Sequence, residues 1–184
     1  MKDYKRNNRE RLVRLLAEVK ENKNPSGWEH ISSIAVGGLA CIGFSNKNKN
    51  EVLASSSSGR GVIDCNTGNK LERDSEEYGG LDETGLYCLG IGSLSGENIS
   101  MAGIYGGGLP LTNRHGDSLE IVSPNWPELD LILCQNHKTA LVEGHQSYCS
   151  VIISEHLRAY GFSWCGNYII AATGNEFDIW KKQL

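Results

Sequence analysis

The strongest constraint on this chain is a phrase that it writes twice. Residues 42–64 read IGFSNKNKNEVLASSSSGRGVID, and residues 159–182 read AYGFSWCGNYIIAATGNEFDIWKK. Each runs Gly-Phe-Ser, a short polar turn, an apolar run ending in small residues, a glycine-bearing turn, and an apolar step beside an aspartate. Side chains alternate between the two faces of a strand, so matched turn spacing gives matched burial; a slip of one residue would exchange the faces. The two phrases are therefore expected to fold as equivalent β-meanders. Phe44 and Phe162 should both be buried, and Ile169–Ala171 should lie as Val52–Ala54 does.

The rest of the chain is consistent with this reading. From Trp28 onward, short apolar or β-branched runs such as SSIAVGG, LYCLGIG, LDLILCQ and CSVIIS alternate with turn signals such as NTGN, SGEN and NRHGD. A succession of strands without intervening helical periodicity points to a mostly β fold of antiparallel meanders, either propeller-like or a small barrel or sandwich. The serine run in SSSSGRG reads as small residues that let strands approach closely. The N-terminal segment is different. Leu12, Leu15, Leu16 and Val19 recur at the 3.6-residue period of one amphipathic helix, and Pro25 marks its end. The expected organisation is a helix over 1–24, acting as a separable cap, and a single all-β domain over 25–184.

The stretch GFSNKNKNEVLASSSSGRGVIDCNTGNKLER resembles the inner strands of a WD-repeat β-propeller blade, and GFSWCGNYIIAATGNEFDIWKK follows the same pattern with Trp180 at the tryptophan position. LGIGSLSGENISMAGIY is a weaker third copy, with Gly90–Ile91 standing for Gly-Phe. The resemblance covers 39–73, 86–120 and 159–182. It implies blade-like repeats. In the first copy Ile63 or Cys65 stands for the tryptophan, and three or four small blades fit the length.

Charge and cysteine content narrow the function classes. The chain has 18 Lys/Arg and 22 Asp/Glu, but residues 1–24 hold eight basic and four acidic side chains, leaving ten and eighteen for the remainder. An acidic body argues against nucleic acid, because phosphate binding rests on a basic footprint. No apolar run approaches the ~20 residues of a membrane span. No export signal is evident, so the expected location is cytoplasmic. There the six cysteines read as small buried hydrophobes.

Three constellations are candidates for chemistry. Cys134, His137, His145 and Cys149 offer two thiolates and two imidazoles, the donor types that tetrahedral zinc prefers, and would suit a zinc-dependent enzyme or a zinc-stabilised domain. In YGGGLPLTNRHGDS, Gly106–Gly108 offer backbone amides, and His115, Asp117 and Ser118 form a possible base, orienter and nucleophile. A flexible hairpin turn accounts for that sequence more simply. The acidic stretch ERDSEEYGGLDETG carries Glu72, Asp74, Glu76, Glu77, Asp82 and Glu83. It lacks the ligand order of a calcium loop and reads as a solvated recognition surface. The expected function is a non-catalytic protein-interaction module. It would be a subunit of an assembly or a neutraliser of the immunity or antitoxin type for a basic effector. Zinc chemistry is the alternative, and no other cofactor is expected.

Overall fold

The computed structural model describes residues 2–124 and 126–183. Along the chain come α1 (Lys2–Ala17), β1 (Lys20–Glu21), β2 (Trp28–Ala35), β3 (Leu39–Phe44), β4 (Glu51–Ser56) and β5 (Gly59–Asp64). Next are β6 (Lys70–Arg73), β7 (Leu81–Asp82), β8 (Tyr87–Leu89), β9 (Asn98–Ser100) and β10 (Ala102–Gly103). The last six are β11 (Ser118–Val122), β12 (Asp130–Cys134), β13 (Cys149–Ser154), β14 (Ala159–Phe162), β15 (Tyr168–Ala172) and β16 (Glu176–Lys182). Apart from a parallel β1–β13 pair, the ladders are antiparallel. The chain is thus mostly β with one N-terminal helix. It divides into two compact units, residues 1–26 with 112–156 and residues 27–111 with 157–184.

In the first unit the sheet order is β1-β13-β12-β11. The helix turns its apolar stripe inward as its periodicity predicts: Leu15 and Val19 are buried, and Leu16 and Val19 pack on Ile132, Cys134, Cys149 and Val151. The helix itself stops at Ala17, earlier than Pro25 suggests. Glu18 and Val19 donate to carbonyls three residues back, which tightens the last turn. The chain then runs extended, so that β1 pairs with β13 at Lys20↔Ser150 and Glu21↔Val151.

In the second unit the two phrases build matching sheets, one ordered β10-β3-β4-β5-β6 and the other β14-β15-β16-β2. Phe44 pairs with Val52 and Phe162 with Ile169; Val52 pairs with Ile63 and Ile169 with Trp180. Phe44 and Phe162 are both fully buried, and Val52–Ala54 and Ile169–Ala171 take the same places in their ladders. The match extends to a fourth strand. Gly61 faces Arg73 as Asp178 faces Ser33, and Ile63 faces Lys70 as Trp180 faces His30, with a β-bulge at the same step in each ladder. The fourth strand of the second sheet is β2, which lies far from β16 in sequence.

Register also corrects one detail of the repeat. The two aspartates are not equivalent: Asp64 pairs with Glu51, while Asp178 pairs with Ala171 and has Gly61 as its counterpart. The repeated glycine before each phenylalanine has one cause in both copies. A Cβ on Gly43 would collide with the Ser100 carbonyl, and one on Gly161 with Leu109, because another segment passes close over the strand. In the weaker third copy β8 and β9 pair, and β7, from just before it, completes a three-stranded meander ordered β7-β8-β9. The copy departs after Gly90, where a 3-10 turn at Gly92–Leu94 intervenes, and β10 leaves to pair with β3.

The sheet built on β3–β6 has a core on each face. Phe44, Val52, Ala54 and Ile63 join Tyr168, Ile170, Phe177 and Ile179 of the matching sheet. On the other face Cys41, Leu53 and Val62 meet Cys88 and Ile99 of the three-stranded meander.

Candidate functional site

One buried polar cluster of the second unit was not singled out by sequence. Asp178, on β16, is 4% exposed between Phe177 and Ile179. Its Oδ1 accepts the Ser33 hydroxyl at 2.6 Å and lies 2.6 Å from His30 Nε2, both on β2. A contact that short to a carboxylate oxygen places a proton on Nε2. The imidazole also stands edge-on to Trp180, with ring centroids 5.3 Å apart. Ser33 Oγ is 3.5 Å from His30 Nε2, but hydroxyl and imidazole converge on the same oxygen. The hydroxyl proton therefore points at the carboxylate and not at a base, which makes the group a clamp between β2 and β16 and not a nucleophile relay. A carboxylate inside an apolar strand was the available signal, since a buried charge requires partners.

The acidic segment is ordered. Arg60 on β5 is 9% exposed; its backbone amide and Nε bind Asp74 at 2.9 and 2.8 Å, Nη1 donates to the Leu89 carbonyl at 3.0 Å, and Nη2 lies 3.4 Å from Glu76. Burial alone would raise the Asp74 pKa, and the Arg60 amide and guanidinium more than reverse it, holding the carboxyl below its usual range. Asp82 accepts the amides of Gly85 at 2.7 Å and Thr84 at 3.0 Å, and these bonds lower its pKa. Glu83 bonds the Tyr105 phenol, whose pKa rises in consequence. Asp74 and Asp82 thus hold the segment in shape, while Glu72, Glu76, Glu77 and Glu83 are exposed, Glu76 with one 3.4 Å contact to Arg60.

The zinc set is only half assembled. Cys134 and Cys149 are buried and directly paired across β12 and β13. The hydrogen bond between them raises the Cys134 pKa and lowers that of Cys149. The histidines do not join them: His137 is exposed beside Gly116, and His145 offers Cys149 only its backbone carbonyl, at 3.5 Å. Among the described residues no group of three or more His, Cys, Asp or Glu is placed to hold a metal ion.

The glycine-rich stretch forms a turn as expected, with Gly103 bridged to Gly106 and with Gly106 and Gly107 at positive φ. Further on, Asn113 organises the tip: its Oδ1 accepts the His115 and Asp117 amides, and its Nδ2 donates to the buried Asp117 carboxylate at 3.1 Å. His115 is exposed, and Ser118 opens β11 opposite Cys134. The cysteines match the burial expectation. Five are buried and Cys165 is half-buried; burial pushes the Cys41 thiol up to about 12 and raises Cys65 as well.

Among the described residues no helix is long and apolar enough to cross a membrane. No protein-family model matches the chain, and no curated protein matches its sequence.

Proposed function

We propose that this protein is a non-catalytic protein-interaction module, built from propeller-like blades and directed at a partner with a basic surface. The observation that carries the reading is the held acidic segment. Asp74 is anchored by Arg60 and Asp82 by its own turn, which leaves Glu72, Glu77 and Glu83 exposed on a shaped backbone. Fixing a charged surface before encounter reduces the ordering cost of association. Clustered carboxylates also speed capture of a basic partner and discriminate against acidic ones. Such a surface suits a neutraliser of the immunity or antitoxin type acting on a basic effector in the cytoplasm, or a subunit of an assembly.

The test is reversal of Glu72, Glu77 and Glu83 to lysine, sparing Asp74, Glu76 and Asp82. The variant should keep its circular dichroism and lose capture of the partner from the native cell, most severely at low salt, where screening is least. Unchanged capture by the folded variant removes the acidic segment from the function. Loss of activity in a folded His30→Ala, His115→Ala, His137→Ala or His145→Ala variant would replace the binding reading with an enzymatic one.

A further inference from the structure

The two matched sheets differ where their ladders are most alike. In the second, the positions on β16 and β2 are filled by Asp178, Trp180, His30 and Ser33, and they close on one another through the carboxylate. The same register positions in the first sheet are Gly61, Ile63, Lys70 and Arg73. A carboxylate is replaced by no side chain, an indole by a smaller apolar group, and imidazole and hydroxyl by two cations. All four line a cavity of about 190 Å³, room for roughly six waters at the ~30 Å³ each occupies in the liquid.

The cavity has two kinds of wall. Ala35, Val36, Ala54 and Ile63 supply apolar surface. Lys70 Nζ donates to the Ala35 carbonyl at 3.3 Å, and Arg73 Nη2 donates to the Ser58 carbonyl at 3.3 Å. These bonds hold both cations at the rim, and among the described residues neither meets a carboxylate. Arg60 also borders the cavity, but its guanidinium is committed to Asp74, Glu76 and the Leu89 carbonyl.

We infer that this cavity binds a short-chain carboxylate. The ligand's charged end would sit over Gly61, between Lys70 and Arg73, and its stem against Ala54 and Ile63. The ligand supplies from outside what Asp178 supplies within the matching sheet. The group can come from the glutamate side chain of a protein or from a free small acid; the chemistry is the same. The inference is independent of the acidic segment and of the function proposed above.

The test is titration of the full chain with acetate, butyrate and inorganic phosphate, followed by the amide resonances of Gly59, Gly61 and Lys70. Butyrate should shift them saturably and about tenfold more tightly than acetate, because its two further methylenes reach the apolar wall. Lys70→Ala or Arg73→Ala should weaken butyrate by about tenfold each, through loss of a charge-assisted bond. Gly61→Asp should fold, since a Cβ there comes no closer than 3.8 Å to its nearest neighbours. It should place its own carboxylate in the cavity and abolish the butyrate response, while Gly61→Ala retains a response. A glutamate-containing peptide that binds more tightly than butyrate identifies a protein-borne group, and one that binds no better identifies a free acid. The inference fails if the shifts are unsaturable, if they are the same in Lys70→Ala and Arg73→Ala, or if phosphate saturates more tightly than butyrate.

Discussion

Replacement of Asp178 by alanine tests how the matched sheet is closed. The carboxylate is 4% exposed and accepts two bonds of 2.6 Å, from Ser33 Oγ and His30 Nε2. Hydrogen bonds to a charged group contribute ~1.5–3 kcal/mol each, an upper bound here of roughly 3–6 kcal/mol. Two effects lower this figure. Ser33 is exposed and recovers water, and removal of the carboxylate relieves the cost of having buried it. A loss of about 2–4 kcal/mol remains, equivalent to a fall in Tm of roughly 4–16 °C for a chain of this size. Asp178→Asn keeps an acceptor oxygen in place and should lose about half as much. Urea unfolding followed by tryptophan fluorescence is a suitable assay, because Trp180 stacks edge-on against His30 at 5.3 Å and reports on the cluster directly. A double-mutant cycle with Ser33→Ala should show coupling of about 1 kcal/mol. The reasoning is refuted if Asp178→Ala stays within about 0.5 kcal/mol of wild type, or if the asparagine variant is as damaged as the alanine.

Four further outcomes are expected. Phe44→Ala and Phe162→Ala should each cost ~3–5 kcal/mol in urea unfolding, as fully buried residues at matched register positions; a harmless result at either one breaks the equivalence. Asp74 has a folded pKa below the ordinary carboxyl value of 3.8, so its stabilisation is complete above that value and disappears as pH falls through the lower folded pKa. Asp74→Asn should therefore be destabilised at neutral pH by about 1–2 kcal/mol, and the gap from wild type should close below pH 3.8; a gap that widens on acidification contradicts the assignment. Leu15→Ala should destabilise by about 2–4 kcal/mol in the same unfolding assay, because the side chain is 1% exposed, and a neutral result would mean that the helix stripe is not packed. Native alkylation with iodoacetamide, read by peptide mass, should modify Cys165 before the five buried cysteines.

What the sequence determined by itself was local. Turn spacing and period-2 alternation placed the two meanders in register, and the 3.6-residue stripe at Leu12, Leu15, Leu16 and Val19 placed the helix and its inward face. Those patterns are legible because they arise between residues a few positions apart. The tertiary structure decided which distant strands meet. The fourth strand of the second sheet is β2, so His30 reaches Asp178 across 148 positions, and neither residue type on its own announces the other. The acidic segment was visible as composition, but its division into anchoring Asp74 and Asp82 and outward Glu72 and Glu77 depends on where Arg60 and the Asp82 turn lie. The zinc spacing was legible too, yet the strand pairing that buries Cys134 against Cys149 leaves their histidines at turns. A residue's chemistry is written in its identity, whereas its partners are set by strand pairing. That pairing is a sum of many weak contacts over the whole unit, and no single stretch of sequence contains it.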